Sequence, residues 1–215
     1  MVEGSKVTAS ARDRILASIG ASGNPEQEYQ AIERGYESAG TAQKGQKLDL
    51  FIERLTDYGA GVYRCTHLEI AATIAERLHA RNAQSVAVPH DIPVDWLPQP
   101  FEFIRDHASP YPQIECCDGV ITGCAVAIAD TGTIILDGGS SQGRRALTLL
   151  PDYHLCVAFE DQIVETVPEA MHRLAEAMSR PLTLISGPSA TADIEMTRIQ
   201  GVHGPRSMEV VLVSL

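Results

Sequence analysis

Three runs of glycine, hydroxyl and charged residues in this 215-residue chain have the composition of ligand-handling turns. The first is Ala129-Asp130-Thr131-Gly132-Thr133. A glycine between two threonines lets the backbone approach a ligand, with Thr131, Gly132 and Thr133 as contacts and Asp130 as an acid–base candidate. The same residues also make an ordinary hairpin turn in which Asp130 and Thr131 bond their own backbone. The second run is Gly138 to Arg145. Backbone N–H groups, two serines, and then Gly143, Arg144 and Arg145 lead into a helix start, the chemistry of a cradle for carboxylate or phosphate. It lacks the GKS or GKT of a P-loop and is not GxGxxG. A flexible loop carrying two solvated arginines is the alternative. The third run is Ser186 to Glu195. A strand ends, a Gly-Pro turn follows, and Ser186, Gly187, Ser189 and Thr191 stand where open α/β sheets bind ligands, outside the strand carboxyl ends. Asp193 and Glu195 suit a helix start but would repel an anion. They can instead act as general acid or base, or orient Arg144 or Arg145. A well-capped short helix is the plain alternative.

His154 and His203 neighbour these runs, and either is a further proton-transfer candidate. No partner spacing supports a triad, so a structural role stands beside it. His67, His79, His90, His107 and His172 fall on predicted helices or loops without accompanying motifs. The five cysteines, Cys65, Cys116, Cys117, Cys124 and Cys156, form no CxxC pair. That pattern supplies neither an iron–sulfur cluster nor a zinc site, and HExxH is absent, so no metal is expected. Nor is there a flavin or nicotinamide fingerprint.

The elements that must position these residues follow from periodicity. An amphipathic helix is expected over 8–19, capped by Thr8 or Ser10, with Ile15, Leu16 and Ile19 on one face. Residues 20–46 are weakly patterned and read as a mobile arm available for contacts between copies. A helix is expected over 47–58 with Leu48, Phe51, Ile52 and Leu55 inward, ended by Gly59. Strand 61–65, helix 67–81 and strand 84–88 form a strand–helix–strand unit with a parallel crossover. The proline-rich stretch 89–112 reads as a surface wrap rather than one regular element. Strands 124–129 and 133–137 form a hairpin, followed by a short helix at 144–149, strand 153–159, helix 166–178, strand 182–186, a short helix at 191–196 and a last strand, 208–213. The expected fold is α/β: a mixed, largely parallel sheet with helices on both faces. The expected division is an N-terminal helix and arm over 1–46 and an α/β domain over 47–215.

Composition narrows the partners. The net charge is −11 and the longest basic feature is Arg144–Arg145, which argues against nucleic acid and anionic lipid. No apolar stretch approaches a membrane span, and Met1 to Gly20 lacks the pattern of a signal peptide, so the cytoplasm is expected.

Several runs stand in an order that carries further meaning. These are Gly119-Val120-Ile121-Thr122-Gly123-Cys124, Ala127 to Thr133, Gly143-Arg144-Arg145, Leu149 to His154, Ser186 to Glu195, and Gly201-Val202-His203-Gly204-Pro205-Arg206. Together they closely resemble the LUD domain family over about residues 48–215, specifically its lactate-utilization branch. Asp130 stands where that family usually shows Glu. The resemblance implies a fold similar to the sugar-phosphate isomerase, CoA transferase and formyltetrahydrofolate cyclo-ligase group. It implies oxidation of L-lactate to pyruvate together with iron–sulfur partner proteins, this chain being the component without clusters and binding a small anionic ligand. A free-standing isomerase- or cyclo-ligase-like enzyme on a phosphorylated or CoA-linked substrate, and a structural assembly factor, are the alternatives.

Overall fold

A computed structural model describes residues 10–20, 25–33, 35, 39–177, 179–191, 199–200 and 203–214. The chain divides into two units, Met1–Glu37 and Ser38–Leu215. In the first, α1 (Ala11–Gly20) is capped by Ser10, whose Oγ accepts from the Asp13 amide at 3.2 Å while its own N–H and hydroxyl donate to Asp13 Oδ2. Ile15, Leu16 and Ile19 are exposed. A second helix, α2 (Pro25–Ala31), occupies part of the stretch read as an unpatterned arm, supported by a one-turn side-chain bond from Gln30 to Glu26.

The second unit opens with α3 (Lys44–Asp57), three residues ahead of the expected start. Leu48, Phe51 and Leu55 are buried and Ile52 is half-buried. Gly59 follows in the left-handed region, φ +86°. Then come β1 (Gly61–Thr66), a 3₁₀ turn at His67–Glu69, α4 (Ile70–Ala80), β2 (Ser85–Pro89), β3 (Glu102–Asp106) and α5 (Tyr111–Glu115). The hairpin β5 (Val126–Ile128) and β6 (Thr133–Leu136) follows β4 (Gly119–Thr122). The rest of the unit is a 3₁₀ turn at Arg145–Thr148, β7 (Tyr153–Phe159), β8 (Ile163–Val164), α6 (Val167–Arg173), β9 (Thr183–Ile185), β10 (Ala190–Thr191), β11 (Ile199–Gln200) and β12 (Ser207–Ser214).

Six strands form a wholly parallel sheet in the order β1-β12-β7-β4-β2-β3. The mixed character lies in a second sheet, β8-β5-β6-β9, which joins parallel and antiparallel pairs. Alternation along the central strands explains the layering. Leu155 and Val157 of β7, with Val211 and Val213 of β12, face Ile70, Ile74 and Leu78 of α4. Their neighbours Cys156, Ala158, Val210 and Leu212 face Phe51 and Leu55 of α3 together with Ala127, Ala129 and Ile134 of the smaller sheet. On that sheet's far side, Val126, Ile128 and Ile135 pack against Ala170 of α6. Helices therefore cover both faces of the large sheet, one of them sharing its face with a second sheet.

The parallel crossover from β1 through α4 to β2 is present, with β12, β7 and β4 lying between the two strands. Three expectations are corrected. The proline-rich stretch is not only a wrap: between Pro100 and Pro110 it holds β3, the sheet's edge, where a strand can flank prolines because one side needs no ladder. β4 interrupts the segment before the hairpin, all four of its residues buried, so it shows no alternation to read. Thr191, read as the start of a helix, lies in β10, which pairs with β11; residues 192–198 lie outside the described residues.

Candidate functional site

The ends of β2, β3 and β6 deliver charged residues to one cleft of about 980 Å³. His90 and Asp91 follow β2, Asp106 closes β3 with His107 and Ala108 after it, and Asp137 follows β6. Gly143, Arg144 and Arg145 line the same cleft, and Arg180 to Leu182 enter it ahead of β9 with Thr183, that strand's first residue. This is the carboxyl-end position that ligands favour in open α/β sheets.

The loop after β6 is held by its own side chains. Gln142 Oε1 accepts from the Asp137 amide at 2.6 Å, Asp137 Oδ1 accepts from the Gly139 amide, and Asp91 accepts from the Ser141 amide at 2.9 Å. Gly143 sits at φ +67°, and a Cβ there would lie 2.5 Å from Leu147 Cδ1, so the turn into the 3₁₀ segment requires glycine.

The two adjacent arginines have different commitments. Arg144 grips the buried Asp106 with a carboxylate fork, Nε to Oδ2 at 2.7 Å and Nη2 to Oδ1 at 3.1 Å. Burial alone would raise the Asp106 pKa, but the Arg144 fork and the Ser109 amide outweigh it and the net shift is downward. Arg144 is thereby spent on the protein, against the expectation that both arginines face a ligand. Arg180 is spent likewise on Asp137, at 2.6 Å. Arg145 pairs with no carboxylate among the described residues. Its Nη1 donates to Thr148 O at 3.0 Å and Thr148 Oγ1 at 2.9 Å, and partial desolvation lowers its pKa.

A second cavity of about 200 Å³ adjoins the first, and Arg145 and Thr148 line both. His154, Ser186, Gly187 and Ser189 line the smaller one, with His203. His154 is buried on β7, its Nε2 2.8 Å from Thr122 Oγ1 of β4. Burial first, and the Arg145 charge second, lower its pKa to about 4. At neutral pH the ring is therefore uncharged.

The structure thus brings Gly143, Arg144, Arg145, His154, Ser186, Gly187 and Ser189 onto two adjoining cavities. Asp130, Thr131, Gly132 and Thr133 line neither. Gly132 turns the hairpin at φ +57° against α3, where a Cβ would stand 2.7 Å from Arg54 Cβ. Asp130 is exposed, and its amide donates to Glu165 O. Thr133 keeps an indirect link, its hydroxyl 2.8 Å from Ser186 Oγ and 2.7 Å from Thr131 Oγ1. Thr191 pairs in β10, and Asp193 and Glu195 lie outside the described residues. Sequence reasoning set His90 and His107 aside as lacking motifs and passed over Asp91, Asp106, Asp137 and Arg180. For Asp91 a signal existed, since it follows the strand read at 84–88; Asp137 was read as the last residue of strand 133–137 and instead follows β6. Asp106 had none, because β3 was not read.

A family model described as the LUD domain matches residues 48–213. Lactate utilization protein C of Deinococcus radiodurans is 46% identical over 173 residues, covering 79% of this chain and 81% of its own. Lactate utilization protein C of Bacillus subtilis is 32% identical over 100 residues, 44% of this chain and 41% of its own. Among solved structures, the crystal structure of a DUF162 family protein from Deinococcus radiodurans superposes with a TM-score of 0.70 at 40% identity, covering 80% of this chain and 99% of that one.

Proposed function

Because the chain belongs to the LUD domain family, we propose that it serves lactate utilization, as the component without iron–sulfur clusters of a system that oxidises L-lactate to pyruvate. That oxidation releases two electrons and two protons. The electrons pass to clusters on partner proteins, and this chain contributes a binding site for a small anion. Support comes first from the relatives: the Deinococcus protein that shares 46% identity carries the lactate-utilization name over 81% of its length. The structural observation that carries the anion site is Arg145, which pairs with no carboxylate among the described residues yet fronts both cavities. Five unpaired thiols suit the reducing cytoplasm, where we place this work. Four of them are buried; the hydrogen bond of the Cys124 thiol to Cys156, and then its burial, raise its pKa and keep it protonated.

The test is genetic. A strain lacking this protein should fail to grow on L-lactate as sole carbon source. The wild-type gene should restore growth and an Arg145→Ala gene should not. Undiminished growth of the deletion strain overturns the proposal. The size of the larger cleft favours a second reading, a free-standing enzyme on a phosphorylated or CoA-linked substrate. Turnover of such a substrate by the isolated chain would establish it.

A further inference from the structure

The two cavities differ in size and charge, and the difference assigns them different occupants. A three-carbon acid has six heavy atoms and fills on the order of 100 Å³, scaling from the ~30 Å³ of a water molecule. The 200 Å³ cavity has room for one such acid but not for a nucleotide-sized molecule, whereas the 980 Å³ cleft is of the size that encloses much larger ligands. Charge points the same way. Arg145 is the only arginine, lysine or carboxylate side chain among the described lining residues of the smaller cavity. The larger cleft carries Asp91, Asp106 and Asp137 as well as three arginines.

The Arg145 guanidinium has donors to spare. It has five N–H donors, and the two recorded bonds both leave from Nη1 toward Thr148. Among the described residues, its Nε and Nη2 hydrogens meet no acceptor, and that edge matches a carboxylate in bidentate geometry. The hydroxyls of Ser186 and Ser189 and the ring of His154 supply neutral polar groups around the rest of the cavity.

Resting on the reading above, we propose that the smaller cavity is the binding site for a three-carbon 2-hydroxy or 2-oxo acid. The carboxylate sits on the Nε/Nη2 edge of Arg145, and the larger cleft is left to a different molecule. L-Lactate and pyruvate are the probes, titrated calorimetrically into the full-length chain. β9 offers adjacent positions to test the division, since Thr183 lines the larger cleft and Leu184, half-exposed, the smaller. Arg145→Lys keeps the charge but loses the fork and should weaken acid binding at least about tenfold, the worth of one charge-assisted hydrogen bond. Leu184→Trp, which fills the smaller cavity, should abolish binding. Thr183→Trp, which fills the larger, should leave the affinity within about twofold. Circular dichroism melts establish that each variant is folded. Binding that survives Leu184→Trp but is lost in Thr183→Trp overturns the placement, as does absence of binding to the wild-type chain. Neither result touches the lactate-utilization reading, which the growth experiment judges separately.

Discussion

Arg144 and Arg145 are neighbours in the chain and opposites in role. Arg144 neutralises a carboxylate that β3 buries, so Arg144→Ala leaves Asp106 charged with no cation beside it and only backbone amides as partners. We expect a loss of about 2 kcal/mol, read as a lower urea midpoint at unchanged slope. Removing Arg145 breaks no ion pair among the described residues, so Arg145→Ala should stay within about 0.5 kcal/mol of wild type while losing ligand. His154 sets a pH dependence. Its pKa in the folded chain is about 4, against an ordinary value of 6.5, so the unfolded chain binds the proton more readily. The sign follows: stability is complete above pH 6.5 and falls as pH drops toward 4, by on the order of 3 kcal/mol in full. Denaturant titrations at pH 7.5, 5.5 and 4.5 should show that decline, and His154→Gln should flatten it. Asp106 and Glu169, whose pKa values are lowered, act in a more acidic window, below their ordinary values of 3.8 and 4.5.

At the scale of elements, α3 is the wedge between the two sheets. Phe51 is fully buried among residues of both, so Phe51→Ala should cost about 3–5 kcal/mol and lower the melting temperature accordingly. Secondary structure was legible where one pattern ruled a whole element. β7 was read at its observed bounds because turn-forming residues precede a continuous apolar run. α3 declared itself through Leu48, Phe51 and Leu55, and the hairpin through Asp130-Thr131-Gly132. β3 was hidden by flanking prolines, and β4 by being short and wholly buried. The site was legible only as separate runs. Nothing in local spacing pairs Arg144 with Asp106, thirty-eight positions away, or says that Gly132 turns toward Arg54 rather than a ligand.

At the scale of the whole molecule, the second unit fixes its own beginning. Glu169 accepts from the Gly40 amide at 3.1 Å and Glu165 from the Ala42 amide at 2.6 Å, while Glu169 also caps α6 through the amides of Glu165 and Thr166. Because Ser38–Leu215 is a compact unit by itself, a chain starting at Ser38 should melt within a few degrees of the full-length protein. A chain starting at Lys44 loses both carboxylate anchors and should melt lower.

The position of β12 carries a consequence in time. It is the last strand along the described chain yet lies second in the sheet, between β1 and β7. Its Ser207 lies 141 residues after Thr66, the end of β1 (207 − 66). At the ~5–20 residues per second of protein synthesis, the β1 backbone waits roughly 7–30 s on the ribosome before its hydrogen-bonding partner is made. During that interval the buried face of α4 lacks Val211 and Val213, the β12 side chains in its core cluster, and that apolar surface stays open to other contacts.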